Sequence, residues 1–231
     1  MTQGMEIHVA DMRKLPLAEE YERILSHLPE EAIKRAQRFR RQDDRVRSVV
    51  AAFMMKRDVE RILRERNLPP HFRILRGVYG KPYVAEHPDI HFSISHSGAM
   101  IVYASGTESL GVDVEEMACG DLSEFRSFFR THEWNHINTS EHPIFEFYRV
   151  WTVREAFSKL IGQGLSIFDR NQIDFDYREN AAEFASQRFV FRSFQYDHYV
   201  ISLCMERLLP HVTLHIISPE EWNALLLDPA L

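Results

Sequence analysis

Residues 30 to 65 contain no proline and no glycine, and Ile33, Val46, Val49, Val50, Phe53, Ile62 and Leu63 are spaced along them as on a helix face. No strand in a chain of 231 residues runs that far, so the segment 28–65 is expected to form one long helix or two abutting ones, stopped at "NLPP" (67–70). Such a helix needs another element to cover its apolar stripe. Candidates flank it: a short strand "MEIHVA" (5–10) before, and "HFSISHSGAMIVYAS" (91–105) after, which has the pattern of a hairpin turning at "SGA".

The order then recurs. "LGVDVEEM" (110–117) reads as a core strand, "DLSEFRSFFRTHEW" (121–134) as a helix capped by Asp121, and "EFYRVWTVREAFSKLIG" (146–162) as a second long helix ending at Gly162 and Gly164. Strands are expected near 172–177, 187–195, 198–205 and 211–217, with a terminal helix from "SPEEW" (218–222). The fold class is therefore α+β, in two units meeting near residues 106–112, divided as 1–108 and 109–231.

Composition narrows the partners. Residues 1–83 hold 18 of the 28 Lys and Arg against 12 of the 34 Asp and Glu, a balance of +6, whereas the remainder carries −12. The first half suits an anion, nucleic acid included, and the second a metal or a basic partner. No secretory pattern and no apolar run of bilayer length is present, so a soluble, cytoplasmic protein without a membrane partner is expected. Cys119 and Cys204 form no ligand pattern or disulfide framework and are given no chemistry.

In "GVDVE" (111–115), Val112 and Val114 point to one side of the strand and Gly111, Asp113 and Glu115 to the other. Two carboxylates on one face repel and are costly to bury, and a divalent cation with hard oxygen ligands removes both objections. Trp151, Glu155, Lys159 and Gly162 share one helix face, which offers a third carboxylate beside a cation, or simply an exposed ion pair. His96 among the hydroxyls of "FSISHS" (92–97) suits a phosphate or a structural role; "GKP" places Lys81 on a turn restrained by Pro82. "HEWNH" (132–136) matches the zinc-peptidase pattern, with His132 and His136 as ligands and Glu133 as base, but leaves Asp113, Glu115, Lys159 and His96 unexplained.

These residues resemble the 4'-phosphopantetheinyl transferases, in particular the large monomeric class that activates surfactin synthetase. The matching blocks are "FRRQDDRVRS" (39–48), "GKPY" (80–83), "FSISHS" (92–97), "GVDVE" (111–115), "FFRTHE" (128–133) and "WTVREAFSKLIGQGL" (151–165). The resemblance implies two similar α+β halves related by a pseudo-twofold axis, each a long helix on a small antiparallel sheet. Coenzyme A would lie between them, with the basic half, 1–108, on its 3'-phosphate side. It implies that Arg40, Arg47, Lys81, Pro82, Ser95, His96 and Lys159 contact coenzyme A and that Asp113, Glu115 and Glu155 bind Mg²⁺; Glu116, one step out of phase on the strand, is expected to face away. Glu133, Glu155, Lys159 and His96 form the implied catalytic set, with Glu133 as base, directly or through a metal-bound water. The implied acceptor is a serine of an apo acyl, peptidyl or aryl carrier protein, with no nucleic acid bound. Residues 117–148, with Met117, Phe125, Arg126, Phe128, Arg130 and Trp134, are a candidate carrier surface. Arg154 stands where the family usually has Lys. The competing classes are the zinc metallopeptidase and a non-enzymatic carrier- or nucleic-acid-binding module.

Overall fold

The computed structural model of the protein describes residues 4–118, 120–170 and 173–228. Strand β1 (Gly4–Asp11) is followed by α1 (Leu17–Ser26), a helix not anticipated above although Leu17, Tyr21, Ile24 and Leu25 have helical spacing. The long helical run divides into α2 (Glu30–Gln37) and α3 (Gln42–Glu65), the second of the two readings above. The break needs neither Pro nor Gly: Arg45 Nε donates to Phe39 O (2.8 Å) across it, and α2 folds back so that Ala36 joins the core under α3. Asp43 and Asp44 in the first turn of α3 and Arg64 in its last complement the helix dipole.

A short hairpin, β2 (Ile74–Arg76) and β3 (Pro82–Val84), leads to β4 (His91–Ser97) and β5 (Met100–Gly106), joined at Gly98. Gly98 has φ +53°, and a Cβ there would collide with Glu116 and the Tyr199 hydroxyl. Next come β6 (Leu110–Glu116), a 3-10 turn over Leu122–Phe128 that Asp121 caps through Ser123 N, and α4 (Thr131–Thr139). The helix expected over 121–134 is thus two pieces, because Phe129 is extended and buries its ring. Helix α5 (Pro143–Ile161) ends at Gly162 in the left-handed region. Strands β7 (Ile173–Asp176), β8 (Ala181–Phe184), β9 (Gln187–Tyr196), β10 (Tyr199–Met205) and β11 (His211–Ile216) follow, then α6 (Pro219–Leu227) with Ser218 and Glu221 in a capping box. Cys119 lies outside the described residues, and Cys204 is buried beneath α5.

Besides the β2–β3 hairpin, the described residues form two sheets, ordered β11-β1-β5-β4 and β6-β10-β9-β8-β7. The second is antiparallel throughout, whereas in the first β11 runs parallel to β1. The sequence division assigned β11 and α6 to the second half, but their pairing and packing put them with the first, where Trp222 meets Phe53 (ring centroids 5.3 Å apart). Strand periodicity sorts the core into three layers. Ile101 and Tyr103 face α3 and α6; Met100, Val102, Ile7 and Val9 meet Val112, Val114, Ile201 and Leu203 between the sheets; Phe189, Phe191 and Cys204 face α5. No helix among the described residues is long and apolar enough to cross a membrane.

Candidate active site

Strand β6 is the edge of the second sheet, and its open side is closed by serine hydroxyls of β4 in place of another strand. Ser93 Oγ accepts from Val112 N (3.0 Å) and Ser97 Oγ from Glu116 N (3.1 Å). Period two aligns Ser93, Ser95 and Ser97 on the same face, so the middle and last hydroxyls reach the carboxylates: Ser95 Oγ donates to Asp113 Oδ1 (2.6 Å) and Ser97 Oγ to Glu115 Oε2 (2.7 Å).

On the other side of β6, Gly111 lets α5 lie directly on the strand; a Cβ there would stand 2.5 Å from Leu160 N and closer still to Ala156 O. That contact brings Lys159 Nζ to Asp113 Oδ1 (2.6 Å), Ser95 Oγ (2.7 Å) and Val112 O (3.3 Å). Asp113 is 3% exposed, and its Oδ2 is buried with no hydrogen-bond partner among the described residues. Burial first, and then the Asp113 charge, push the Glu115 carboxyl up to about 7 and raise that of Glu155 above the usual range. Glu116 faces elsewhere, with its Oε1 3.0 Å from His198 Nε2.

Among the described residues, no three His, Cys, Asp or Glu side chains are grouped closely enough to form a ready-made metal site. The donor chemistry nevertheless fits a hard divalent cation: one buried carboxylate oxygen has no donor, and two neighbouring carboxyls resist ionisation.

Two clefts meet at Glu155 and Leu165. The first, with a volume of about 230 Å³, is lined by Arg76, Lys81, Pro82, Ser93, Glu155 and Lys159 among others. Lys81 crosses from the first half to donate to Leu160 O (3.1 Å), at the C-terminal end of α5, and to Leu110 O (3.3 Å); burial pushes its ammonium down to about 8. Arg76, not anticipated from the sequence, donates to Gly80 O (2.6 Å), and burial followed by the Arg35 charge lowers it to about 10. The β2–β3 hairpin pairs Arg76 with Pro82 and so sets both on one face, but its strands are too short to have left a sequence signal. The second cleft, about 480 Å³, is lined by Phe128, Phe129, Arg130, Trp151, Arg154 and Glu155 among others.

The remaining candidates are more dispersed. His96 alternates with Ser95 and faces the other side of β4; desolvation and the charges of Arg47 and Lys159 lower its pKa. Arg47 donates to Gly98 O (2.6 Å) and pairs with Asp44; Arg40 is exposed and lines neither cleft. Glu133, the base expected from the resemblance, lines neither cleft and caps α4: its Oε2 accepts from Arg130 N (2.9 Å) and its Oε1 from Tyr177 Oη (3.0 Å). The zinc pattern is likewise used up, since His136 Nε2 lies 2.6 Å from Glu146 Oε1 and its ring stacks on Tyr177.

Residues 14–108 match the family model for the N-terminal region of 4'-phosphopantetheinyl transferases, and residues 109–204 match that of the 4'-phosphopantetheinyl transferase superfamily. The chain belongs to the 4'-phosphopantetheinyl transferase superfamily. It is 32% identical over 168 residues to a 4'-phosphopantetheinyl transferase of Bacillus subtilis, covering 71% of this chain and 73% of that one. It is 30% identical over 149 residues to the 4'-phosphopantetheinyl transferase gsp of Aneurinibacillus migulanus, covering 61% of each. A third relative, the L-aminoadipate-semialdehyde dehydrogenase-phosphopantetheinyl transferase of Rattus norvegicus, is 31% identical over 148 residues, 56% of this chain and 48% of that one. The protein is an enzyme, a phosphopantetheinyl transferase, and this replaces the zinc-peptidase and non-enzymatic readings.

Proposed function

We propose that this protein transfers the 4'-phosphopantetheine arm of coenzyme A to a serine hydroxyl of an apo acyl, peptidyl or aryl carrier protein, with Mg²⁺ as cofactor. The serine Oγ bonds to the phosphorus bearing the pantetheine arm, the bond to the bridging pyrophosphate oxygen breaks, and adenosine 3',5'-bisphosphate leaves. The serine proton passes to a base.

The observation that carries this reading is the convergence of Lys159, Ser95 and Asp113 where β4, β6 and α5 meet, beside a cleft that Lys81 and Arg76 make cationic. In it, Lys81, Arg76 and Lys159 bind and orient the phosphates, and Lys159 offsets charge on the phosphoryl oxygens as the new bond forms. His96 and Arg47 contribute at the outer face of β4, where the 3'-phosphate end would lie. Asp113, Glu115 and Glu155 are the residues that would hold Mg²⁺, which when bound supplies positive charge to the pyrophosphate oxygens. The reading takes coenzyme A and a carrier protein as the only partners, without nucleic acid or membrane, and a monomer working in the cytoplasm.

The test is mass spectrometry of apo acyl, peptidyl and aryl carrier proteins incubated with the purified protein, coenzyme A and Mg²⁺. A gain equal to the phosphopantetheine arm, abolished by chelator and restored by Mg²⁺, is expected; no gain on any carrier type would reject the reading.

A further inference from the structure

Glu133 and Arg154 are joined in a way that neither the resemblance nor the reaction requires. Glu133 is 2% exposed, and its two oxygens accept from Tyr177 Oη and Arg130 N. A third donor, Arg154 Nη1, stands 3.4 Å from Oε2 and also donates to Phe128 O. The Arg154 guanidinium lies between two rings, 4.4 Å from the centroid of Phe168 and 5.5 Å from that of Phe129. Phe128, Phe129, Arg154 and Phe168 are all walls of the second cleft, and Arg154 immediately precedes Glu155, where that cleft meets the first.

A general base needs a lone pair within reach of the proton it takes. Both oxygens of Glu133 are already met by protein donors, Arg130 N and Arg154 Nη1 on one and Tyr177 Oη on the other. Burial and the Glu133 charge also hold the Tyr177 phenol well above its usual pKa, so it remains a donor. The flat guanidinium fills a ring-walled slot and reaches two acceptors, which a lysine ammonium at this position would not reproduce.

We propose that Glu133 and Arg154 form a positioning pair that ties α4 to α5 and fixes the wall of the second cleft behind Glu155, and that Glu133 does not accept the substrate proton. With coenzyme A phosphates in the first cleft, the second is the side from which the carrier's serine segment approaches Glu155. The activity arm of the test rests on the transferase reading above.

Glu133→Gln separates the roles. A glutamine can accept from Arg130 N and Arg154 through its oxygen and donate to Tyr177 through its amide, so the hydrogen-bond geometry is kept while the basicity and the negative charge are lost. The expected result is kcat within tenfold of the parent, a superimposable pH–rate profile and a melting temperature lowered less than in Glu133→Ala. Glu133→Ala and Arg154→Ala are each expected to raise the carrier KM at least tenfold while changing kcat less, and the double variant to be no worse than the poorer single one. A kcat loss beyond tenfold in Glu133→Gln, with the acid limb of the profile gone, overturns the proposal. If the alanine variants do not fold, Tyr177→Phe decides. It takes one donor from Glu133, so a base at this position would move the acid limb upward, and a positioning pair leaves the limb in place. A parent protein that modifies no carrier refutes the transferase reading instead, and the melting temperatures of the Gln and Ala variants still test the pair.

Discussion

Gly111→Ala is the smallest change that tests how the site is assembled. The added methyl would stand 2.5 Å from Leu160 N, about 0.9 Å short of the 3.4 Å at which ordinary contact begins, and the shortfall at Ala156 O is larger still. Both obstacles are α5 backbone, which no rotamer change can move, and β6 is held on its other face by Val112 and Val114 in the layer between the sheets. The helix must therefore lift off the strand. Overpacking of this kind costs 1–3 kcal/mol in general, and with backbone on both sides about 3 kcal/mol is the expectation here. For a chain of this length, that lowers the melting temperature by roughly 6–12 °C. A displacement of about 1 Å or more pulls Lys159 away from Asp113, and a misplacement of 1 Å already costs about 10²-fold in turnover. Thermal melting and carrier modification are both measured, with Gly120→Ala as control because nothing lies within 4 Å of its would-be Cβ. Adding Ala156→Gly should not rescue the variant, because the clash is with a carbonyl and not a side chain. A Gly111→Ala protein that melts within about 1 °C of the parent and turns over normally refutes the reasoning.

Lys159→Met leaves the Asp113 carboxylate buried without its cation; a loss of about 2 kcal/mol in urea denaturation is expected, together with loss of carrier modification. Asp113→Ala should abolish turnover while circular dichroism stays at the parent level. Coenzyme A affinity, measured by calorimetry, should hold below pH 8 and fall above it, because bound phosphate favours the Lys81 ammonium that burial has pushed down to about 8; Lys81→Met should bind more weakly and lose that dependence. Ligand-free stability moves the other way for the same group: between pH 8 and the ordinary lysine value of 10.5 the unfolded chain binds more protons, so the Lys81 contribution rises with pH across that window.

Period-two and helical spacing sufficed for much of this site. Val112 and Val114 were separable from Asp113 and Glu115 by alternation alone, and the four-residue interval between Glu155 and Lys159 put both on the helix face that β6 receives. The same alternation explains why Ser95 and His96, adjacent in sequence, lie on opposite faces of β4. What strand and helix periods do not encode is which edges meet. That Ser93, Ser95 and Ser97 would close the side of β6 depends on the two sheets being brought together, and that Arg76 would join Lys81 depends on a hairpin whose three-residue strands are too short for a pattern to mark. Glu133 shows the converse limit: its motif position is plain in the sequence, whereas its partners Tyr177 and Arg154 come from other elements.

The pairing of β11 with β1 means that the second sheet, from Leu110 to Met205, is an insertion within the first. On a ribosome, the inner unit has its whole sheet available as soon as β10 emerges, whereas β1 gains β5 as a neighbour before that sheet is made and β11 only after it. The first core likewise lacks Trp222 and Leu226 until the whole insertion has been made. The half carrying Asp113 and Glu155 is thus contiguous in the chain, whereas the half carrying Lys81 must reach across it for an outer strand and a covering helix.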